Sequence, residues 1–325
     1  MSEKLLEVEN LTINYKVYDE YMKVVKNASF SVGKGEKVGL IGESGCGKTT
    51  TMRAIMRALP ENAIVENGNI LFQGRDILKM KMNEVQDVRR KNISMIFQDP
   101  TSALNPVFKI GEQLGDIIYH SNKSSGKTLS QKEIKEKAID ALKNVALPDP
   151  ERILENYPIQ LSGGMRQRVC IAAAIISAGD LLIADEPGTS LDVTIEDQIL
   201  RLLASLVEDR GTSVILISHA LGAVKGMVDR VYVMYAGNMV EVARTSDLFS
   251  EPLHPYTSSL FKTVPKITGG GIPEPIPGRI PDYSNPPEGC RFCTRCPHSM
   301  PICEREVPKF KNQGKNHEVA CFLFE

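Results

Sequence analysis

The chain has 325 residues, of which 42% are hydrophobic and 24% charged, a composition typical of a soluble globular protein with one large and one smaller domain. Its net charge of −1 at pH 7 gives no whole-chain electrostatic reason to bind nucleic acid. No stretch approaches the roughly 18 consecutive apolar residues of a membrane span, and the charged start MSEKLLEVEN is unlike a signal peptide, so we expect a cytosolic protein.

The first strongly patterned element is a buried strand at residues 37–42, followed by the sequence GESGCGKTT and a helical pattern. This context fits the phosphate-binding pattern G-x-x-x-x-G-K-[ST], whose backbone N–H groups surround phosphate oxygens at a helix N-terminus. We predict that Lys48 contacts the β and γ phosphates and that the Thr49 hydroxyl binds Mg²⁺. The Cys46 side chain is interpreted as a small filler. The predicted nucleotide-binding loop comprises Gly42, Ser44, Gly45, Cys46, Gly47, Lys48, Thr49 and Thr50.

A hairpin is predicted at residues 67–77, which indicates an antiparallel flank on the main sheet. After Gln98 the strand pattern disappears, and helical patterns follow at residues 110–120, 133–145 and 150–157. The polar stretch at 121–130 has the composition of an exposed loop. Residues 99–165 are therefore predicted to form a helical subdomain inserted into an α/β domain with a largely parallel sheet.

The sheet resumes with a buried strand at residues 180–185, which ends in two adjacent carboxylates. With a phosphate loop present, Asp185 is predicted to hold Mg²⁺ through water and Glu186 to polarise the attacking water. Another buried strand ends in His219, and residues 231–243 predict a hairpin around a Gly–Asn turn.

Two short helical patterns follow the hairpin. Residues 265–288 contain seven prolines and four glycines, which predicts no regular element there. We therefore divide the chain into a nucleotide-binding domain at residues 1–245 and a C-terminal extension at 246–325.

The sequence LSGGMRQRV, residues 161–169, resembles the signature motif of ABC transporter ATP-binding subunits and lies shortly before the second carboxylate motif, as it does in that family. Ser162, Gly163 and Gly164 fit a second anion-binding helix start. The resemblance implies a P-loop NTPase core with an antiparallel β flank and a helical subdomain. It also implies that two subunits meet head to tail, each signature closing over the nucleotide that the other holds.

Several other single residues also match positions in the motifs of this family. The resemblance implies that Gln98 contacts Mg²⁺ and the lytic water, that His219 contacts the γ phosphate, and that Tyr15 stacks on adenine. The sequence TSLD at residues 189–192 matches the loop that touches the partner subunit, with Asp192 as its acidic residue.

Two positions depart from the family pattern. Ala220 stands where this branch usually has an acidic residue, and Gly188 stands where a threonine is common. Neither departure removes a catalytic group, so we expect an ATP- and Mg²⁺-dependent hydrolytic site, with some weakening left open.

Three further segments indicate which branch of this family the chain resembles. The sequences QDPTSALNP, EPLHPYT and IPGRIPDYSNPPEGC are similar to the ATPases of oligopeptide and dipeptide importers, a group that also contains nickel and some oligosaccharide importers. The resemblance implies a peripheral ATPase on the cytoplasmic face of the cell membrane. Its implied partners are a second ATPase subunit, expected to be a related but distinct chain, two membrane permease subunits and an extracytoplasmic solute-binding protein.

Two other classes stay open at this point. ABC ATPases that move no solute usually carry a long coiled coil or two ATPase units in one chain, and this sequence has neither pattern. A nucleic-acid module in the tail would need a basic patch around a zinc ribbon, but nearby glutamates offset the tail's basic residues. We therefore expect no nucleic-acid partner.

The tail sequence GCRFCTRCPHSMPIC holds four of the seven cysteines, and Cys321 follows it. In a cytosolic protein such a cluster indicates metal binding or redox chemistry before a disulfide framework. The resemblance implies a 4Fe-4S cluster on Cys290, Cys296, Cys303 and Cys321. Zinc and free thiols remain alternatives, because Cys293 creates two CxxC pairs. For either metal we expect a structural role.

Overall fold

The structure is a computed structural model and describes residues 3–124, 126–189, 191–263 and 275–325. The strands are β1 (Lys4–Val17), β2 (Glu20–Gly33), β3 (Lys37–Ile41), β4 (Ala63–Phe72), β5 (Arg75–Asp76), β6 (Ile93–Ile96), β7 (Leu181–Asp185), β8 (Ser213–Ile217), β9 (Arg230–Tyr235), β10 (Asn238–Arg244), β11 (Phe310–Asn312) and β12 (Glu318–Ala320). The helices are α1 (Lys48–Ile55), α2 (Met82–Lys91), α3 (Pro100–Ala103), α4 (Ile110–Ser124), α5 (Gln131–Asn144), α6 (Pro150–Glu155), α7 (Gly163–Ser177), α8 (Val193–Arg210), α9 (Leu221–Met227), α10 (Thr245–Ser250), α11 (Pro255–Lys262) and α12 (Pro301–Arg305). Short 3-10 turns occur at Ile77–Lys79, Pro158–Gln160, Cys293–Arg295 and Phe322–Phe324.

The larger sheet has the strand order β11-β12-β10-β9-β3-β8-β7-β6. Its β9-β3-β8-β7-β6 part is parallel, and β7 and β8 are buried along their whole length. Continuous burial suits their apolar sequences LLIAD and SVILI, because a parallel strand is covered on both faces. The prediction of an α/β domain with a largely parallel sheet is confirmed.

The smaller sheet is the predicted antiparallel flank. Its strands lie in the order β2-β1-β4-β5, and all three pairings are antiparallel. The hairpin predicted at residues 67–77 is formed by β4 and β5, although β4 begins four residues earlier. The hairpin predicted at 231–243 is also present as β9 and β10.

Helices α3 to α6 form the helical region between β6 and α7. The loop predicted at residues 121–130 was wrong at its start, because α4 continues to Ser124. The polar residues there extend the helix: the side-chain amide of Asn122 donates to the Ile118 carbonyl one turn earlier, at 2.8 Å. Helix α5 then begins with a capping box between Ser130 and Glu133.

The tail adds two strands to the larger sheet, which the sequence analysis did not predict. Strand β12 pairs with β10, and β11 pairs with β12. The buried Glu241 carboxylate strengthens this junction, since it accepts backbone N–H bonds from Leu253 and His254 and lies 2.6 Å from His317 Nε2. Residues 275–288 form no helix or strand, as predicted, and the remainder of that prediction falls on 265–274, outside the described residues.

Candidate active site

The phosphate loop connects β3 to α1 in the predicted manner. Gly42 has φ 155°, and a Cβ there would lie 2.1 Å from the Met234 carbonyl oxygen, so a side chain does not fit. Gly47 is the left-handed N-cap of α1. The buried Lys48 folds back over the loop and donates from Nζ to the carbonyl oxygens of Gly42 and Glu43, at 2.8 and 2.9 Å. The loop thus has a cation at its centre and a helix N-terminus beneath it.

A cavity of about 150 Å³ lies against this loop. Two of its lining residues, Gln98 and Glu186, come from distant parts of the sequence, after β6 and β7. The other lining residues belong to the loop and are Ser44, Gly45, Gly47, Lys48, Thr49 and Thr50. The structure therefore brings the predicted water-activating carboxylate and the predicted glutamine to the phosphate loop.

Asp185 and Thr49 meet beside the cavity. The Thr49 hydroxyl donates to Oδ1 of Asp185 at 3.2 Å. Burial raises the pKa of Asp185, and the charge of Glu186 adds to this effect, although the Thr49 hydrogen bond and Lys48 oppose it. A buried carboxylate beside a hydroxyl fits a hard cation such as Mg²⁺, which takes oxygen ligands and keeps water and phosphate oxygens in its shell.

The Glu186 carboxylate is held from three sides. Its Oε2 accepts from Gln98 Nε2 at 2.8 Å and from the Thr189 hydroxyl at 3.1 Å, while Oε1 lies 2.5 Å from His219 Nε2. Burial alone would raise the pKa of Glu186, but the contacts with His219 and Thr189 outweigh burial and lower it. Glu186 therefore stays an ionised base at neutral pH, next to a carboxyl group whose pKa is shifted the other way.

The signature residues start α7 and lie apart from this cavity. The Ser162 side chain accepts from the Met165 N–H at 3.3 Å as the N-cap, which confirms the predicted helix start. Ser162, Gly163 and Gly164 are not among the described residues that line the cavity. The exposed Asp192 precedes α8, and its carbonyl accepts from Ile195 and Glu196. Within TSLD, the prediction for residue 190 falls outside the described residues.

Tyr15 is half-buried on β1, and its hydroxyl lies 3.3 Å from the Thr50 hydroxyl. It is thus next to the end of the phosphate loop, where an adenine-stacking residue is expected. Its stacking role stays a prediction.

Several residues of this region were not predicted from the sequence as part of the site. Thr189 was seen only as part of a partner-contacting loop, yet its hydroxyl orients Glu186. The C-terminal residues Tyr256, Tyr283 and Arg295 contact the phosphate loop at Glu43 and Gly45. Tyr256 and Tyr283 lie in segments that the sequence analysis used only to recognise the family branch, and no local pattern indicated these distant partners.

The tail cysteines lie together around one pocket. A single small apolar pocket, with a cavity of about 10 Å³, is lined by Cys290, Cys293, Cys296, Cys303 and Cys321. Within the described residues, no group of three or more His, Cys, Asp and Glu side chains is arranged to hold a metal ion. The predicted metal site on Cys290, Cys296, Cys303 and Cys321 is therefore not supported.

Comparison with known families matches two parts of the chain. The model described as ABC transporter matches residues 25–189. The model described as oligopeptide/dipeptide transporter, C-terminal region, matches residues 240–303. Within the described residues, no helix combines the length and apolar character needed to cross a membrane.

Comparison with individual proteins agrees with the two family matches. The chain is 44% identical over 323 residues to the dipeptide transport ATP-binding protein DppD of Bacillus subtilis, covering 99% of this chain and 95% of that protein. It is 41% identical over 319 residues to the oligopeptide transport ATP-binding protein OppD of Salmonella typhimurium, covering 98% and 93%. The solved dimer of the ATP-binding cassette MJ0796 with ADP and Pi matches with a TM-score of 0.66 and 25% identity, over 74% of this chain and 98% of that one.

The phosphate loop, the Glu186 carboxylate with its three contacts, and the signature helix start occur in one chain that both family models match. The chain therefore belongs to the family of ABC transporter ATP-binding proteins, in the group with the oligopeptide/dipeptide transporter C-terminal region.

Proposed function

We propose that this protein binds and hydrolyses ATP to power the import of oligopeptides or dipeptides. The observation that carries this proposal is the position of Glu186, whose carboxylate lines the cavity of the phosphate loop while Gln98, Thr189 and His219 hold it. The peptide substrate is supported by whole-length similarity to dipeptide and oligopeptide transport ATP-binding proteins.

In the proposed reaction, Lys48 and the N–H groups of the loop bind the phosphates, and Glu186 takes a proton from the attacking water. His219, next to Glu186, contacts the γ phosphate. Thr49, Gln98 and, through water, Asp185 would hold Mg²⁺, which would neutralise charge on the phosphate oxygens. The lowered pKa of Glu186 supports its role as the base, because the group is ionised at neutral pH.

The proposed assembly has two ATPase subunits in a head-to-tail arrangement. This geometry is supported by the signature residues, whose helix start is separate from the cavity of their own chain. The second ATPase is proposed to be a related but distinct chain. Two permease subunits recruit the pair to the cytoplasmic face of the membrane, and an extracytoplasmic binding protein delivers the solute.

Reconstitution tests the transport function directly. The chain is purified from membranes with its co-purifying subunits, incorporated into proteoliposomes and given ATP with labelled dipeptide, oligopeptide, Ni²⁺ or trisaccharide. We expect ATP-dependent peptide uptake, and none with the Glu186→Gln variant. Uptake of Ni²⁺ or trisaccharide alone would identify the alternative importer classes of this group. ATP hydrolysis without co-purifying membrane subunits would favour an ABC ATPase that moves no solute.

A metal centre in the tail is a separate proposal, with a 4Fe-4S cluster as the first candidate and zinc as the second. It is supported by the gathering of five thiols at one pocket, because thiolates suit both centres. These side chains would need to rearrange, since no three of them have a metal-binding arrangement here. Iron, sulfide and zinc analysis of anaerobically purified protein, with its visible absorbance, distinguishes the two. The absence of all three elements would leave free thiols.

A further inference from the structure

Two tyrosines from the C-terminal part of the chain fix the backbone of the phosphate loop. The Glu43 N–H donates to the Tyr256 hydroxyl at 2.8 Å, and the Tyr283 hydroxyl donates to the Gly45 carbonyl at 2.8 Å. Tyr256 is fully buried in α11, and Tyr283 lies on the segment that leads to the cysteines. The C-terminal region therefore contacts the loop at Gly45, which lines the cavity, and at Glu43, which is not among its lining residues.

Arg295 makes the strongest connection to the loop. It lies in the 3-10 turn Cys293–Arg295, is 7% exposed, and forms a two-bond pair with Glu43, with N···O distances of 2.8 and 3.1 Å. The other three N–H groups of its guanidinium donate to Tyr235, Pro277 and Ile276. All five donors of this planar group are thus used, which fixes the position of the Glu43 side chain.

A third connection passes through the β9–β10 hairpin. Arg291 donates from Nη1 to the carbonyl oxygens of Ala236 and Lys23. The next residue of the hairpin, Gly237, donates its N–H to the Cys46 carbonyl at 2.8 Å. A Cβ on Gly237 would lie 2.2 Å from the Val24 carbonyl oxygen, so the turn packs too closely against Val24 to accept a side chain.

These contacts determine which way the loop peptides point. A trans peptide has its C=O and N–H on opposite sides, so the hydrogen bond from Gly237 to the Cys46 carbonyl directs the Gly47 N–H away from Gly237. Gly47 itself lines the cavity. Holding the Gly45 carbonyl similarly orients the Cys46 N–H, which donates to the Glu43 carbonyl and closes the turn. An anion-binding loop depends on this orientation of its N–H groups.

We propose that the cysteine-bearing tail is a positioning element of the ATP site, in which Arg295 acts through Glu43 and Tyr283 acts through Gly45. These residues hold the loop in its anion-binding conformation before nucleotide binds, which lowers the ordering cost of binding. The inference rests on the proposed ATPase function and adds that the tail is energetically coupled to nucleotide binding. Because such coupling is reciprocal, bound nucleotide stabilises the tail by the same factor.

The test uses the full-length chain with three variants. Tyr283→Phe removes one hydroxyl and keeps the ring, Arg295→Gln removes the pair with Glu43, and Arg305→Gln is the matched control at an exposed tail position. We expect the first two variants to raise the Kd for MgATP about 5- to 20-fold, a typical range for coupled sites. Arg305→Gln should bind like the parent. In turnover assays the loss should appear in KM rather than in kcat, because the catalytic groups are unchanged.

Two further measurements separate positioning from general destabilisation. If Arg295 acts through Glu43, the Glu43→Gln/Arg295→Gln double variant should bind MgATP only a little more weakly than whichever of the two single variants binds it less tightly. In the parent, MgATP should slow hydrogen exchange of the amides at 290–296, and this effect should be reduced in Arg295→Gln.

Three results would count against the inference. Unchanged MgATP affinity in both Tyr283→Phe and Arg295→Gln would overturn it, as would tail exchange that does not respond to MgATP in the parent. If Arg295→Gln does not fold, Tyr283→Phe still decides the question, because it deletes one oxygen only. A parent protein that binds no MgATP would overturn the proposed function, and this inference with it.

Discussion

Nε2 of His219 lies 2.5 Å from Oε1 of Glu186, and this contact joins two strand ends. Strands β7 and β8 are parallel neighbours, with Asp185 opposite Ile217, so the residues that follow them leave the sheet side by side. Glu186 has φ 48°, in the left-handed region that a glutamate seldom adopts. Such a backbone persists where surrounding contacts hold it, and Glu186 has Gln98 and Thr189 in addition to His219.

Replacement of this carboxylate tests its role most directly. Glu186→Gln keeps the side-chain size and removes the base, so we expect MgATP binding within a few-fold of the parent. Turnover should fall at least about 100-fold, the usual size of a general-base contribution. Phosphate release and equilibrium nucleotide binding measure the two effects. Hydrolysis at the parental rate would show that Glu186 is not the base.

The contact with His219 also predicts a change in pH dependence. The pKa of Glu186 lies below its ordinary value of 4.5, so the parent keeps this base ionised throughout the neutral range. In His219→Ala, burial remains while the largest opposing contact is lost, and the pKa should rise. As the solution is acidified, the variant should therefore lose activity at a higher pH than the parent does. Its turnover at neutral pH should be roughly 100-fold lower than that of the parent.

The matched control for this experiment is Thr189→Val, which removes a weaker contact to the same carboxylate. Its acid limb should shift in the same direction but by less than that of His219→Ala. Identical pH profiles of turnover in the parent and in His219→Ala would contradict the assigned effect of this histidine on Glu186.

The sequence predicted the catalytic centre better than its surroundings, for a physical reason. Gln98, Glu186 and His219 each follow a short apolar strand, and the ends of parallel strands meet at one edge of a sheet, which places the three residues close together. The roles of Gln98 and His219 came from the family resemblance. The pair of Arg295 with Glu43 spans most of the chain and has no local pattern. The pairing of β12 with β10 was missed for the same reason, since β12 has only three residues.

Asp185 should show a conflict between stability and function. Burial raises the pKa of Asp185, so folding favours the neutral carboxyl more than unfolding does, and ionisation of this group costs stability at pH values above the pKa of the unfolded chain. Asp185→Asn removes that charge and keeps an oxygen for the Thr49 hydrogen bond. We therefore expect the nucleotide-free variant to melt about 2 °C higher than the parent at pH 7.

Adding MgATP should reverse this order. In the parent the Asp185 carboxylate would hold Mg²⁺ through water, and the neutral amide of the variant would hold it less well, so the melting temperature of the parent should rise more with MgATP. Thermal unfolding of both proteins, with ATP in the presence and absence of Mg²⁺, measures the difference. An Asp185→Asn protein that is less stable without nucleotide and equally stabilised by MgATP would contradict the assignment of Asp185 to the metal.

When the purified chain pairs with a second copy of itself in place of its distinct partner, the separation of the signature helix from the cavity of its own chain predicts complementation between two damaged copies. Lys48→Ala should abolish phosphate binding by the loop of one copy and leave its signature intact. Ser162→Arg should block the signature of the other copy and leave its phosphate loop intact. In a head-to-tail pair, the mixture contains one complete site built from the intact loop of one chain and the intact signature of the other.

Each variant alone should show under about one hundredth of parental turnover, in keeping with the loss of phosphate-stabilising groups. The mixture should recover a substantial fraction, measured as phosphate release against an equal amount of parent. A mixture as inactive as its components, beside a parent that hydrolyses ATP by itself, would rule out the head-to-tail arrangement of two copies.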